Sequence, residues 1–194
     1  KGSGFYKTTK FSNPVYLGDP INILKIFNDK EVDELFVLDI GATVEKKNIN
    51  MSLLRDFAGE CFMPLGYGGG IKNIDQIKAL YQAGFEKISI NTAACENPEL
   101  ITQGAKAFGS QSIVVSIDVK KHLMGDYEVL IRGGKKRTGR RPAEYAQEME
   151  RRGAGEILVT SIDRDGSMEG YDLRLIKMVS SVVGIPVVAC GGAG

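Results

Sequence analysis

The residue best placed to move a proton is an aspartate at the end of an apolar run. Ile113-Val114-Val115-Ser116-Ile117 leads into Asp118. A carboxylate at the edge of a packed strand is partly desolvated, which lifts its pKa toward the range of a general acid or base. A structural salt bridge with Lys120 is the plainer alternative. Asp163-Arg164-Asp165-Gly166 supplies two further carboxylates, one of which can orient a substrate, or the pair can simply make a turn. Asp39 closes the run that begins at Glu34 and has a similar claim to the site, against a hydrogen-bonding role toward a nearby loop.

Two glycine runs offer a place for anions. Gly68-Gly69-Gly70 precedes a helical pattern that opens at Asn73, its expected N-cap, and Gly191-Gly192-Ala193-Gly194 follows another apolar run. Glycines there let backbone N–H groups approach a phosphate at a helix N-terminus, although either run alone could be a tight strand-to-helix turn. Asn91-Thr92 and Thr160-Ser161 end two more runs. Their amide and hydroxyl groups can bind phosphate or substrate hydroxyls, or cap the next element. Gly166 belongs with the same loops.

The elements that must hold these residues alternate. Strands are expected at Glu34–Asp39, Phe62–Leu65, Lys87–Asn91, Ser112–Asp118, Glu156–Ser161 and Pro186–Ala189. Amphipathic helices are expected between them, roughly at Ile21–Asn28, Met51–Glu60, Ile74–Ala83, Pro98–Phe108, Ala143–Arg152 and Leu173–Val182. Such a rhythm implies parallel strands with right-handed crossovers. A shift of 122 residues maps Glu34-Leu35-Phe36-Val37 onto Glu156-Ile157-Leu158-Val159 and Gly69-Gly70 onto Gly191-Gly192 without a gap. Two copies of one (β/α)4 unit close naturally into a (β/α)8 TIM barrel, which an open dinucleotide-binding sheet does not require. The expectation is one phosphate-binding barrel domain over residues 1–194, with the first and eighth strands absent and the domain incomplete at both ends.

Bulk properties narrow the partners. Twenty-five Lys and Arg face 24 Asp and Glu, so no global field favours nucleic acid or an anionic membrane. Three cysteines without CxxC spacing and a single histidine, His122, suggest neither disulfides nor a metal site, and no cofactor motif is present. No apolar run reaches the roughly 18 residues that span a bilayer, and Lys1 to Lys7 lack a signal-peptide core. A cytoplasmic protein is expected. Arg132 to Arg141 carries six basic residues in ten; it reads as a solvated loop, or as a mobile lid that gathers an anionic substrate. Cys190 reads as a small buried residue and His122 as a loop residue.

These residues resemble the cyclase subunit of imidazole glycerol phosphate synthase. The likeness runs through Leu38-Asp39-Ile40, Gly68-Gly69-Gly70-Ile71, Lys87 to Ala94, Gly153 to Leu158, Ser161 to Gly166, Gly170-Tyr171-Asp172 and the second glycine run. It implies a barrel that takes ammonia from a glutaminase subunit. The ammonia would convert a bis-phosphorylated ribulosyl formimino carboxamide ribonucleotide into imidazole glycerol phosphate and aminoimidazole carboxamide ribotide. Asp118 matches one of the family's two acid–base aspartates, Asp165 a further active-site aspartate, and Glu34, Lys87 and Glu156 the ammonia entrance and partner face. On residue type alone those last three would be surface salt-bridge formers. Leu65-Gly66-Tyr67 and Cys190 depart from the family's usual residues, and with Gly18 to Asn22 they look like a paralogous branch that amidates a sugar for surface polysaccharide. A non-catalytic phosphate-binding scaffold subunit is the alternative of another class.

Overall fold

The computed structural model describes residues 4–45, 47–123 and 125–193, so Gly194 of the second glycine run and Lys1 to Ser3 lie outside the described residues. In chain order the elements are β1 (Phe5–Thr9), β2 (Ser12–Gly18), α1 (Pro20–Asp29), β3 (Leu35–Leu38), α2 (Met51–Glu60), β4 (Leu65–Gly68), α3 (Ile74–Gln82) and β5 (Lys87–Ile90). There follow α4 (Thr92–Glu96), α5 (Glu99–Phe108), β6 (Ile113–Lys121), β7 (Tyr127–Ile131), β8 (Lys136–Arg137), α6 (Pro142–Arg151), β9 (Glu156–Ser161), α7 (Leu173–Ser180) and β10 (Val187–Cys190).

Six strands pair in parallel in the order β10-β9-β6-β5-β4-β3, as the β/α rhythm requires. The sheet curls. Lys87 on β5 bonds both Glu34, just before β3, and Glu156 on β9. Those flanking residues belong to strands four places apart, about 19 Å in a flat sheet at about 4.8 Å per strand, beyond the reach of one ammonium group. The wall is therefore that of a barrel, open between β3 and β10 among the described residues. Its outer face is apolar: Ile88, Ile113, Val115, Ile117, Ile157 and Val159 are all buried against the helices. At about 1.5–3 kcal/mol for each large aliphatic side chain, this shell is the main source of stability.

The duplication is visible in the backbone. Gly69, at φ +124°, comes so near Asp39 that a Cβ would lie 2.5 Å from its carbonyl oxygen. Gly191, at φ +89°, stands in the same relation to Ser161, with 2.6 Å to that carbonyl. A shift of 122 residues takes both members of the first pair to both members of the second, so each half uses a glycine to cross the end of its neighbouring strand.

Two expectations need correction, and two elements were not anticipated. The strand expected at Phe62–Leu65 is Leu65–Gly68, because Gly66 and Gly68, poor strand formers, hide it. Gly66 has a steric reason, since the Phe36 ring of the neighbouring strand fills the space its Cβ would need. The N-terminal segment forms the antiparallel hairpin β1–β2, whose exposed apolar residues Val15, Tyr16 and Leu17 carry no two-residue burial alternation. The basic segment after β6 is largely ordered: β6 runs on past Asp118, turns into β7, and β7 pairs with β8. Short helix α4 follows Asn91 directly.

Candidate active site

The C-terminal ends of the six parallel strands surround one cavity of about 350 Å³. Leu38, Gly68, Ser89, Asp118, Thr160 and Cys190, one from each strand, face into it. Asp118 lies opposite Thr160 in the β6–β9 ladder and opposite Leu130 in the β6–β7 ladder, so its backbone is fixed on both sides. Asn91 holds its carboxylate from the side, with Nδ2 donating to Asp118 Oδ2 at 3.2 Å and to the Ser116 carbonyl at 3.0 Å. Burial pushes the Asp118 carboxyl up to about 7, and repulsion from Asp165 adds to the shift. Near neutral pH the group is present in both protonation states, which suits a residue that must accept and return a proton.

The other aspartates divide in role. Asp165 lines the cavity, and its Oδ2 accepts from Thr8 Oγ1 at 2.7 Å and from the Phe11 N–H at 3.1 Å. Its carbonyl also accepts from the Lys10 N–H at 2.9 Å, so one residue fastens the β1–β2 hairpin over the cavity. Asp163 turns away from the cavity and accepts from the Lys121 N–H at 2.8 Å, bracing the extension of β6. Asp39 lines the cavity, with its Oδ1 accepting from the Gly41 and Ala42 N–H groups at 3.0 Å each.

The expected anion-binding residues do not all reach the same space. Gly69, Asn91, Thr92 and Thr160 line the cavity. Gly70 packs on Ala42, Gly166 on the Thr8 carbonyl, and Gly192 on Gly170, so each of these three answers a close contact with a neighbouring chain segment. The Thr92 hydroxyl donates to Asn91 Oδ1 at 3.2 Å and accepts from the Arg132 N–H at 3.0 Å, which docks the turn after β7 against α4. Cys190 reaches the cavity half-buried, and burial pushes its thiol above the ordinary range, so it is protonated at neutral pH and is no ready nucleophile.

Sequence reasoning gave no role to Thr8, Ser89 or Ser116, and took Lys135 only as one of six basic residues in a loop or lid. Ser89 and Ser116 share a hydrogen at 2.5 Å between their Oγ atoms at the cavity wall. Their positions two residues before Asn91 and Asp118, on the same strand faces, were the available signal.

At the opposite mouth Lys87 Nζ bonds Glu34 at 2.9 Å and Glu156 at 2.8 Å. Burial alone would lower the Lys87 pKa, but the bonds and charges of the two glutamates outweigh it and raise it. Glu156 is buried, and its Oε1 has no hydrogen-bond partner among the described residues. Since Ser89 and Lys87 are two apart on one face of β5, the charged cluster lies about 7 Å beneath the cavity wall. Among the described residues no group of His, Cys, Asp and Glu is arranged to hold a metal, and no helix is long and apolar enough to cross a membrane.

Comparison with known proteins places this geometry. A family model described as "Histidine biosynthesis protein" matches residues 3–194. A Pseudomonas aeruginosa protein with the provisional name imidazole glycerol phosphate synthase subunit hisF2 is 49% identical over 194 residues, covering 100% of this chain and 77% of its own length. The imidazole glycerol phosphate synthase subunit HisF of Alkaliphilus metalliredigens is 44% identical over 177 residues, 91% of this chain and 70% of its own. That of Natranaerobius thermophilus is 47% identical over 188 residues, 97% and 74% respectively. With a strand-end aspartate over a barrel wall and this likeness along its whole length, the chain belongs to the histidine biosynthesis protein family, among its HisF members.

Proposed function

We propose that this chain is the cyclase subunit of imidazole glycerol phosphate synthase, using ammonia from a glutaminase partner on the bis-phosphorylated ribulosyl formimino carboxamide ribonucleotide. The observation that carries the reading is Asp118: a carboxyl near pKa 7 at the wall of the cavity, oriented by the Asn91 amide. A group so poised can take a proton from attacking ammonia and return one to the departing carboxamide nitrogen. Asp165 shares the cavity and contributes negative charge that keeps the Asp118 proton affinity high. Gly69, Asn91, Thr92 and Thr160 supply backbone and side-chain dipoles for the substrate's phosphates and hydroxyls. In the same reading Gly70, Gly166, Gly191, Gly192 and Asp163 shape the loops that carry those contacts.

Glu34, Lys87 and Glu156 form the face toward the partner, where ammonia enters. Strand β5 joins that cluster to the cavity through Ser89, whose hydroxyl pairs with Ser116 and offers a polar step along the way. The test is turnover of the bis-phosphorylated ribonucleotide by the complete protein with ammonium salt, followed by loss of its absorbance. Wild type should turn over, and Asp118→Asn should lower kcat by about 10²-fold or more with ligand binding nearly unchanged. A folded wild-type protein without activity would overturn the reading and turn attention to amidation of a sugar; unchanged turnover by Asp118→Asn would favour a scaffold role.

A further inference from the structure

The cavity's charge balance does not match the substrate proposed for it. Four carboxylates line it, on Asp39, Glu45, Asp118 and Asp165; Lys47 pairs with Glu45 from outside the lining, and among the lining residues themselves Lys135 is the single cation. A ligand with two phosphates would be repelled by that wall unless positive charge meets it.

The basic run that carries Lys135 is otherwise committed. Arg132 binds Glu96 through Nε at 3.2 Å and a terminal nitrogen at 2.8 Å, and Lys136 reaches the same carboxylate at 3.2 Å. Arg137 bonds the buried Glu128 at 2.7 Å, and Arg140 bonds Glu148 at 2.5 Å. Arg141 lies 4.0 Å from Glu144. Lys135 alone of the six has no ion pair among the described residues and lines the cavity.

The turn is also held in place. The Arg132 N–H donates to Thr92 Oγ1, Gly133 approaches Val44, and Gly134 faces Phe11 and Ile162. These contacts tie the turn to the loops after β3 and β9, to the β1–β2 hairpin and to α4, so Lys135 is carried over the mouth by a docked turn. Holding it there reduces the ordering cost of using it.

We propose that Lys135 is a substrate-binding residue that neutralises a phosphate of the ligand at the cavity mouth, with Arg132 anchoring the turn and Lys136 adding only an exposed contact to Glu96. The assignment rests on the bis-phosphate substrate of the proposed function. Its test compares Lys135→Met, Lys135→Arg and Lys136→Met in the complete protein, by calorimetric binding of the bis-phosphorylated ribonucleotide and by ammonium-dependent turnover. Lys135→Met should weaken binding and raise KM by about 10- to 100-fold, with the loss in KM far larger than in kcat, and should flatten the salt dependence of binding. Lys135→Arg should restore affinity to within a few fold, and Lys136→Met should change it by less than about threefold. Equal affinities for wild type and Lys135→Met, or an equal loss in Lys136→Met, would overturn the proposal. If wild type binds the ribonucleotide without turning it over, the cyclase reading fails while the binding comparison still decides the role of Lys135. If wild type does not bind it, inorganic phosphate replaces it as the probe, and equal phosphate binding by wild type and Lys135→Met overturns the assignment.

Discussion

Asp118→Asn should make the protein more stable at alkaline pH while removing its activity. The folded protein holds the Asp118 carboxyl near pKa 7, against about 3.9 for an aspartate in an unfolded chain. Between those values the native state binds more protons than the unfolded state, so this group makes stability fall as pH rises from about 4 to 7, after which the penalty is complete. Three pKa units correspond to about 4 kcal/mol. That is an upper bound, because Asp118 is only half-buried at the cavity wall and Asn91 still donates to the charged form; about 2 kcal/mol is a reasonable net figure. An asparagine keeps the shape, can accept the Asn91 bond, and carries no charge at any pH. At roughly 2–4 °C per kcal/mol for a chain of this size, Asp118→Asn should raise Tm by about 4–8 °C at pH 8.5, by about half as much near pH 4.5 and by almost nothing near pH 3. Calorimetry of both proteins at four or five pH values measures the difference directly. A Tm difference independent of pH, or a destabilised variant at pH 8.5, would refute the reasoning, since it would mean that Asp118 is solvated like any surface carboxylate.

Three further sets of substitutions probe the frame around the site. Lys87→Met leaves the buried Glu156 without its cation and should cost about 2–3 kcal/mol in urea unfolding, much of it recovered in the double variant with Glu156→Gln; a loss under about 0.5 kcal/mol would show that water already solvates that mouth. Gly69→Ala and Gly191→Ala should each cost about 2 kcal/mol or more, since φ is positive and a backbone oxygen occupies the Cβ position, whereas Gly139→Ala, at φ +72° with open space around it, should cost about 1 kcal/mol. Glu128 is held down to about 2, first by the Arg137 hydrogen bond; its contribution is present above about pH 4 and is lost as pH falls toward 2. Glu128→Gln should therefore cost about 1–2 kcal/mol at pH 7, after allowance for the exposed Arg137, and reduce the steepness of acid unfolding between pH 4 and 2.

How far the residues foretold the site depends on which physical constraint acts at each. Asp118 was legible because a carboxylate that ends an apolar strand must either meet a cation or face a polar cavity, and Gly69 and Gly191 because the 122-residue shift maps one onto the other; that they cross the strand ends at Asp39 and Ser161 is seen only in the fold. Duplication preserves a steric demand in both halves even where the chemistry has diverged: Asp39 uses its carboxylate to hold two N–H groups of its own loop, while Ser161 in the same position has none to offer. What escaped the sequence was decided by pairing across the fold. Nothing local separates Lys135 from Lys136; the difference is that Glu96, about 40 residues away in the chain, lies within reach of one and not the other. Likewise Asp163 and Asp165 are near-twins in sequence, yet Lys121 draws the first toward β6 and Thr8 holds the second over the cavity. Charges in a loop acquire roles by elimination, as buried or rigid partners claim some and leave others facing the substrate. For that reason the aspartate proposed as catalytic could be picked out at a strand's end, whereas the cation assigned to the phosphate needed the folded chain.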